Sequence, residues 1–168
     1  MDVSSLPNTP VVEDGAALVF VLTGVTLDDY LLLIIEPDRK EEGSVSILKV
    51  PGGRKEEGET REQTACRELY EETGLNVSSD ELVYLQSKIF SGRSGGQFQR
   101  NLFAVLVSRE TLSPYIGAYV ETRDPNRVRH RAIAYKLRDV VGGQLNILPT
   151  HLSLVKSLLV QTSSSATA

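Results

Sequence analysis

Three glutamates close together in the sequence are the clearest sign of chemistry in this chain. Glu71 and Glu72 follow Glu68 by three and four positions, so on a helix all three side chains project from one face. Carboxylates at this spacing repel one another, and the helix macrodipole disfavours anions in the last turns. A bound cation would offset the repulsion, and carboxylate oxygens with water suit Mg²⁺. The alternative is a solvated acidic face, which many exposed helices carry.

The residues before the glutamates favour a metal or phosphate site over a plain acidic face. Gly52 and Gly53 precede the cluster, and glycine lets a backbone carbonyl or amide approach an ion closely. Arg67 comes directly before Glu68, so its guanidinium can orient the carboxylates. We therefore expect this part of the chain to bind a cation, a phosphate group or both.

The segment that carries the glutamates is predicted to be a helix from Thr60 to Thr73. Thr60 and Gln63 form a capping-box pattern at its start, and Gly74 is a natural helix stop. The other elements are predicted mainly from runs of apolar residues: strands at Ala16–Leu22, Tyr30–Ile35, Val45–Val50, Leu82–Phe90, Leu102–Ser108 and Arg131–Leu137, a second helix at Leu152–Val160, a flexible loop at Ser91–Asn101 and irregular structure at 109–128. This order of strands and helices indicates an α+β domain with a mixed sheet.

Composition argues against several classes of protein. A net charge of −4 gives no broad attraction to nucleic acid or acidic membranes, so no DNA partner is expected. The single cysteine, Cys66, cannot form an internal disulfide, and with two histidines the sequence shows no Cys/His cluster typical of zinc. The apolar runs are strand-sized and the N-terminus lacks a secretory signal pattern, so we expect no membrane span and a cytoplasmic location.

The length of 168 residues fits one compact domain. We place that domain at residues 15–160. Residues 1–14 carry two prolines and little pattern, and are expected to form an extended lead-in. Residues 161–168 are small and polar, and are expected to be a disordered tail.

The stretch from Gly53 to Leu75 resembles a complete Nudix box. All nine specified positions match, in the pattern Gly53-x5-Glu59-x7-Arg67-Glu68-Leu69-x-Glu71-Glu72-x-Gly74-Leu75. The resemblance implies a Nudix-like α/β/α sandwich with a mixed β-sheet. It also implies hydrolysis of a nucleoside diphosphate linked to another group, which makes a small-molecule nucleotide the expected partner.

In this family the Arg-Glu-x-x-Glu-Glu helix binds divalent metal. The resemblance therefore implies that Glu68, Glu71 and Glu72 hold Mg²⁺, for which Mn²⁺ could substitute. It also implies that the backbone carbonyl of Gly52 or Gly53 adds a ligand.

The family places the general base either within this helix or on a downstream loop. Glu68 is the candidate within the helix. Glu121 is the best-placed acid downstream, with Asp124 and Glu110 behind it. The resemblance gives Arg67 the role of orienting a carboxylate.

Arginines outside the box are candidates for contacts with the substrate. Arg93 and Arg100 bracket the glycine-rich loop, and Arg129 lies in the basic stretch Arg127–Arg131, where the family often carries a glutamate instead. Because the guanidinium contacts phosphate in a bidentate manner, these arginines could clamp phosphate groups. The alternative is that they serve solubility. Aromatic residues that could stack on a nucleotide base, or else pack within the protein, are Tyr115, Tyr119 and Phe98.

Three functions remain open at this point. The first is cleavage of a diphosphate linkage in a nucleotide sugar, a dinucleoside polyphosphate, ADP-ribose or a similar compound. The second is a nucleoside triphosphate pyrophosphohydrolase that removes damaged nucleotides. The third is a non-catalytic nucleotide sensor, against which the intact glutamates argue. The resemblance also allows a homodimer.

Overall fold

The computed structural model describes residues 13–35, 46–91 and 96–165. Within these ranges the strands are β1 (Glu13–Leu22), β2 (Tyr30–Ile35), β3 (Leu48–Lys49), β4 (Gly52–Arg54), β5 (Val83–Ser91), β6 (Gln97–Leu106), β7 (Val120–Arg123) and β8 (Arg129–Lys136). The helices are α1 (Arg61–Thr73), α2 (Arg109–Leu112), α3 (Leu137–Val141) and α4 (Pro149–Ser165). None of the helices in these ranges has the length and apolarity needed to cross a membrane.

The strands form one mixed sheet in the order β5-β6-β1-β2-β8-β7, with β3 paired to β2 and β4 paired to β1. The pairing of β1 with β6 is parallel, and the other pairings are antiparallel. A helix covers each face of this sheet. Ala17 and Val19 of β1 pack with Leu69 of α1, whereas Leu18 and Phe20 pack with α4. The α+β class and the α/β/α sandwich expected from the sequence are therefore confirmed.

Strands β1 and β2 are apolar on both faces because both faces are covered. Every residue of β2 is buried, and residues 17–22 of β1 are buried as well. A continuous apolar run, rather than an alternating one, is what such a strand requires. The two runs predicted at Ala16–Leu22 and Tyr30–Ile35 are confirmed, and their antiparallel pairing places Leu22 opposite Leu31.

Several elements differ from the sequence prediction. β6 begins at Gln97, inside the predicted loop Ser91–Asn101, because Arg100 pairs with Ala16 of β1 and Lys88 of β5. The predicted irregular segment 109–128 contains α2 and β7. Residues 92–95 of the predicted loop, and with them Arg93, lie outside the described residues, as does Val45 at the predicted start of β3.

The C-terminal helix is longer than the helix predicted at Leu152–Val160. It begins at Pro149 and continues to Ser165, past residue 160, where we placed the end of the domain. The Thr162 hydroxyl donates hydrogen bonds to the carbonyls of Leu158 and Leu159, which lets a small polar residue continue the helix. Residues 166–168 of the expected tail and residues 1–12 of the expected lead-in lie outside the described residues.

Candidate active site

Helix α1 is fixed at both ends by side chains and backbone that the sequence pattern predicted. The Thr60 hydroxyl accepts from the Gln63 amide at 3.1 Å, and the Gln63 side chain accepts from the Thr60 amide at 2.9 Å. At the other end Gly74 adopts φ 78°, the left-handed conformation, and its amide donates to the Tyr70 carbonyl at 2.8 Å. Leu69 is fully buried against the sheet. These contacts fix the rotation of the helix and therefore the direction of its glutamates.

The guanidinium of Arg67 joins three glutamates. Its Nε donates to Glu59, and its Nη1 donates to Glu68 at 3.0 Å and to Glu71 at 3.3 Å. Its Nη2 donates to the Arg54 carbonyl at 2.8 Å. The hydrogen bond from Arg67 is the main reason why the pKa of Glu59 falls to about 2. Arg67 therefore holds the carboxylates of Glu68 and Glu71 and also ties the helix to the preceding loop.

Glu59 holds that loop in place rather than facing a ligand. It accepts from the Glu56 amide at 3.0 Å and from the Thr64 hydroxyl at 2.9 Å, in addition to Arg67. With these donors its carboxylate is satisfied by the protein itself. Glu59 thus holds the loop between β4 and α1 together. Its carboxylate lies at the start of the helix, where the macrodipole favours negative charge.

Glu72 is the most deeply buried of the glutamates. Its side chain accepts from the Gly52 amide at 2.7 Å, and the residue is 6% exposed. Burial raises the pKa of Glu72 to about 8, although the Gly52 hydrogen bond and the charge of Lys49 act in the opposite direction. Burial also raises the pKa of Glu68, against the effect of Arg67. Two carboxyl groups that are costly to ionise here would be stabilised as anions by a nearby cation.

Gly52 and Gly53 let strand, helix and carboxylate meet at close range. A Cβ at Gly52 would overlap the Ala17 carbonyl, and a Cβ at Gly53 would overlap the Glu68 carboxylate. The Glu68 side chain thus lies directly on the Gly53 backbone. No residue with a side chain could take either position without displacing its neighbours.

The donor set fits a hard cation. Glu68, Glu71 and Glu72 offer carboxylate oxygens, and the backbone of Gly53 lies against the Glu68 carboxylate. In the described ranges, no three acidic, histidine or cysteine side chains already surround one point. The carboxylates of Glu68 and Glu71 both accept from Arg67. A metal ion would compete with Arg67 for those oxygens.

The structure does not bring Glu121 to this cluster. The Thr122 hydroxyl of β7 donates to the Glu71 carbonyl at 2.9 Å, so Thr122 faces α1 and its neighbour Glu121 faces the opposite side of the sheet. There Glu121 is 45% exposed and pairs with Arg129 at 3.0 Å. The two sequence candidates Glu121 and Arg129 therefore contact each other, away from Glu68.

The two acids placed behind Glu121 lie elsewhere as well. Asp124 accepts from the Val128 amide at 2.9 Å and pairs with His130 at 3.1 Å, which holds the turn between β7 and β8. The hydrogen bond from His130 lowers the pKa of Asp124. Glu110 is exposed on the short helix α2.

The three aromatic candidates have different surroundings. Tyr115 is buried, and its hydroxyl donates to the Thr73 carbonyl at 2.7 Å, so it supports the end of α1. Tyr119 is exposed, with the Arg131 guanidinium 5.8 Å from its ring centre. Phe98 lies beside Arg100, whose guanidinium is 5.9 Å from that ring centre.

Two residues without a role in the sequence analysis lie beside the cluster. Lys49 is close enough to Glu72 for its charge to lower the pKa of that carboxyl. His151, in the first turn of α4, accepts from the Val50 amide through Nδ1 at 3.0 Å. Lys49 precedes the glycine pair by only a few positions, which is a weak local signal. His151 is 101 residues from Val50, so no local pattern could have shown the contact.

Comparison with known proteins agrees with this arrangement. The family described as the NUDIX domain matches residues 14–147 of the chain. No curated protein matches it in sequence. Among solved structures, a NUDIX hydrolase from Nitrosomonas europaea is similar with a TM-score of 0.60 and 22% identity, over 89% of this chain and 90% of that one.

Two further structures are similar over nearly the whole chain. The NUDIX domain of Shewanella oneidensis NrtR, solved in complex with ADP ribose, gives a TM-score of 0.61 at 18% identity, covering 95% of this chain and 94% of that one. A mutT/nudix family protein from Listeria innocua gives 0.58 at 20% identity, covering 94% and 97%. At these identities the similarity concerns the fold.

Proposed function

Because the chain belongs to the NUDIX domain family, we propose that it is a Mg²⁺-dependent hydrolase that cleaves the diphosphate linkage of a nucleoside diphosphate joined to another group. The observation that carries the proposal is the burial of Glu72 and Glu68 beside the backbone of Gly52 and Gly53. These carboxyl groups have raised pKa values, which a bound cation would bring down. A solvated acidic face would not bury its glutamates.

The glutamates of α1 would hold the metal. We assign Glu68, Glu71 and Glu72 as its ligands, with the Gly53 carbonyl as a further donor. When bound, Mg²⁺ would neutralise charge on the diphosphate and lower the pKa of a coordinated water. Arg67 would orient the carboxylates before the metal binds, and its bonds to Glu59 and to the Arg54 carbonyl would keep it beside them afterwards.

Glu68 is the better candidate for the general base. Its carboxylate lies on the Gly53 backbone, within the cluster that we propose to hold the metal and its coordinated water. Glu121 is the weaker candidate, because it faces the opposite side of the sheet and is paired with Arg129. We therefore propose that the proton of the attacking water passes to the Glu68 carboxylate.

The family and the described arginines support a nucleotide as the substrate. The related NUDIX domain of NrtR was solved with ADP ribose, so ADP-ribose belongs among the compounds to be tested. Arg100 and Arg129 are the described arginines that we propose for contacts with phosphate groups. Arg129 would have to leave its pairing with Glu121, whereas Arg100 is already half-buried in the sheet.

Replacement of Glu72 by glutamine tests the metal assignment. Glutamine retains an oxygen for the Gly52 amide, so the fold should persist, whereas the charge that binds the metal is lost. We expect Glu72→Gln to reduce Mg²⁺-dependent turnover by about 100-fold or more, since the metal supplies several kcal/mol of transition-state stabilisation. The measurement is product release from a panel of nucleotide sugars, dinucleoside polyphosphates, ADP-ribose and nucleoside triphosphates, with Mg²⁺ and with Mn²⁺.

Glu62→Gln is the matched control, because Glu62 lies on the same helix and pairs with Arg61 rather than with the glutamate cluster. Undiminished turnover in Glu72→Gln would remove the metal assignment. Hydrolysis of triphosphates alone would favour the pyrophosphohydrolase function. Nucleotide binding without any turnover by the unaltered protein would favour a sensor.

A further inference from the structure

The last turn of α1 carries two of the proposed metal ligands in an unfavourable position. Glu71 and Glu72 lie in this turn, which contains no basic residue. Anionic side chains at the C-terminus of a helix are disfavoured by the macrodipole, and like charges at neighbouring positions repel one another. Helix ends also fray, because their last carbonyls have no partner within the helix. These ligands therefore lie where α1 is least able to hold them by itself.

The backbone that follows the helix satisfies only part of this turn. The Gly74 amide donates to the Tyr70 carbonyl at 2.8 Å. The next amide, that of Leu75, would donate to the Glu71 carbonyl if the helix continued, but it donates to the Thr73 hydroxyl at 3.1 Å instead. The carbonyls of Glu71 and Thr73 therefore take their hydrogen bonds from other parts of the chain.

Two hydroxyl groups from a distant segment supply those hydrogen bonds. The Thr122 hydroxyl donates to the Glu71 carbonyl at 2.9 Å across 51 residues, and the Tyr115 hydroxyl donates to the Thr73 carbonyl at 2.7 Å across 42 residues. Tyr115 and Thr73 are both buried. Burial raises the pKa of the Tyr115 hydroxyl, which therefore keeps the proton that it donates at neutral pH. We call the hydroxyl groups of Tyr115 and Thr122 the hydroxyl clamp.

The hydroxyl clamp holds the turn without adding positive charge to it. A lysine or arginine near the end of a helix can also bond the last carbonyls, but its charge would pair with the glutamates and compete with a metal ion for them. Arg67 already bonds Glu71 in this way. Neutral hydroxyl groups satisfy the carbonyls and add no second competitor, which suits a turn that has to offer its carboxylates to a cation.

We propose that Tyr115 and Thr122 are positioning residues for the metal, because their hydroxyl groups keep the last turn of α1 helical before a cation arrives. Glu71 and Glu72 are then already arranged as ligands. The inference rests on the proposed function, since it takes the glutamates to bind metal. A turn that frayed in the metal-free protein would have to be ordered again on binding, which would weaken the affinity. The hydroxyl clamp thus acts through the backbone of α1.

Removal of each hydroxyl group with little change of shape tests this role. Thr122→Val and Tyr115→Phe each delete one donor, and the double variant deletes both. The readout is the dissociation constant of Mn²⁺, measured from the electron paramagnetic resonance signal of the free ion, without substrate or turnover. We expect each single change to weaken Mn²⁺ binding by roughly fivefold, as for the loss of one hydrogen bond, and the double variant to weaken it further.

Two substitutions of the same chemical kind are the matched controls. Thr162→Val removes a hydroxyl that donates to helix carbonyls in α4, on the other face of the sheet. Tyr30→Phe removes a buried tyrosine hydroxyl on the α1 face that accepts from Arg109 at 3.4 Å. Both controls should bind Mn²⁺ as the unaltered protein does. Thr122→Ser keeps the donor and should restore the affinity that Thr122→Val loses.

Amide hydrogen exchange of the metal-free protein locates the effect. In Thr122→Val and Tyr115→Phe the Gly74 amide, which reports on the last turn, should exchange faster by a larger factor than the amides of β2 in the buried sheet. Saturating Mg²⁺ should restore its protection. If the buried change Tyr115→Phe prevents folding, the half-buried position 122 carries the test alone.

Unchanged Mn²⁺ affinity in the folded variants would overturn the inference, even if their free energy of unfolding fell, because the hydroxyl groups would then serve the fold alone. Equal weakening in the controls would overturn it as well. If the unaltered protein bound no Mn²⁺, the metal assignment of the proposed function would fail instead. Exchange of the Gly74 amide would still decide whether the hydroxyl clamp holds the turn.

Discussion

The carboxyl groups at helix α1 lie in two different environments, one around Arg67 and the other around Glu72. Glu59, Glu68 and Glu71 share the guanidinium of Arg67, and Glu59 remains ionised far below neutral pH as a result. Glu72 is instead buried against the neutral amide of Gly52. Because its pKa rises to about 8, Glu72 is largely protonated at neutral pH until a cation binds. Metal binding should therefore release a proton from this residue.

This proton release predicts a pH-dependent effect of Mg²⁺ on stability. The pKa of Glu72 in the folded protein lies above its ordinary value of 4.5, so its stabilising effect is complete below that value and is lost as pH rises toward 8. Mg²⁺ binds the ionised form and should restore stability at the alkaline end. We expect Mg²⁺ to raise the Tm more at about pH 8.5 than at about pH 6. Thermal unfolding with Mg²⁺ or with a chelator measures this.

The Glu72→Gln variant is the reference for that measurement. Glutamine does not titrate, so the difference between the two pH values should shrink in the variant. An equal gain from Mg²⁺ at both pH values in the unaltered protein would contradict the coupling between the metal and Glu72.

At the scale of elements, local patterns were enough for α1 but not for β6 and β7. The helix has its signals in its own sequence, namely Thr60 with Gln63 at the start and Gly74 at the end. The first residues of β6 and all of β7 contain few apolar residues in alternation. They are strands because β1, β5 and β8 pair with them. Of these partners β1 is distant in sequence, whereas β5 and β8 are the neighbouring strands along the chain.

The candidate site likewise contains residues that a local pattern identified and residues that it did not. The glutamates, Arg67 and the glycine pair fall within one short stretch, so the local pattern was enough to propose a cation or phosphate site there. The contact of His151 with Val50 joins residues 101 positions apart, and the face on which Glu121 lies depends on the pairing of β7 with β8. Such facts follow from the assembled sheet, which a local pattern does not encode.

Gly74 offers a prediction at the scale of the helix. Its φ of 78° disfavours any residue with a Cβ, and a Cβ here would lie 3.3 Å from Thr122, which holds the Glu71 carbonyl. We expect Gly74→Ala to lower the free energy of unfolding by about 1–2 kcal/mol. Urea unfolding measures the loss. Gly96→Ala is the control, because a Cβ at Gly96 meets nothing within 4 Å, and equal losses in the two variants would contradict the account.

At the scale of the whole molecule, helices on opposite faces of the sheet hold the same piece of backbone. Glu72 of α1 accepts from Gly52, and His151 of α4 accepts from Val50. The two helices have no sequence pattern in common, yet the segment Val50–Gly52 depends on both. Its position therefore requires both helical layers of the sandwich to be folded, and one layer alone does not fix it.

The contribution of His151 to the free energy of unfolding can be measured through its pH dependence. Its folded-state pKa of about 4 lies below the ordinary value of 6.5, so the unfolded chain takes up a proton first as pH falls. The stability that neutral His151 contributes should be lost between about pH 6.5 and pH 4. Relative to His151→Gln, the unaltered protein should lose roughly 2–3 kcal/mol across this window.

Urea unfolding at several pH values measures that difference. Taking the difference from His151→Gln removes the contributions of Glu72 and of the other carboxyl groups, which both proteins share. A difference in unfolding free energy that stays constant across the window would show that His151 does not resist protonation in the fold.

The parallel pairing of β1 with β6 has a consequence for the synthesis of the chain. Ala16 and Asn101, which contact each other in this pairing, are 85 residues apart. While the chain is being made, β1 can meet β2 and β4 early, but its other edge waits for β6. The whole of α1 leaves the ribosome before that edge is filled. Closure of so long a loop is slow, and the waiting apolar edge is open to wrong partners. The glutamates are thus made well before the sheet that gives them their geometry is complete.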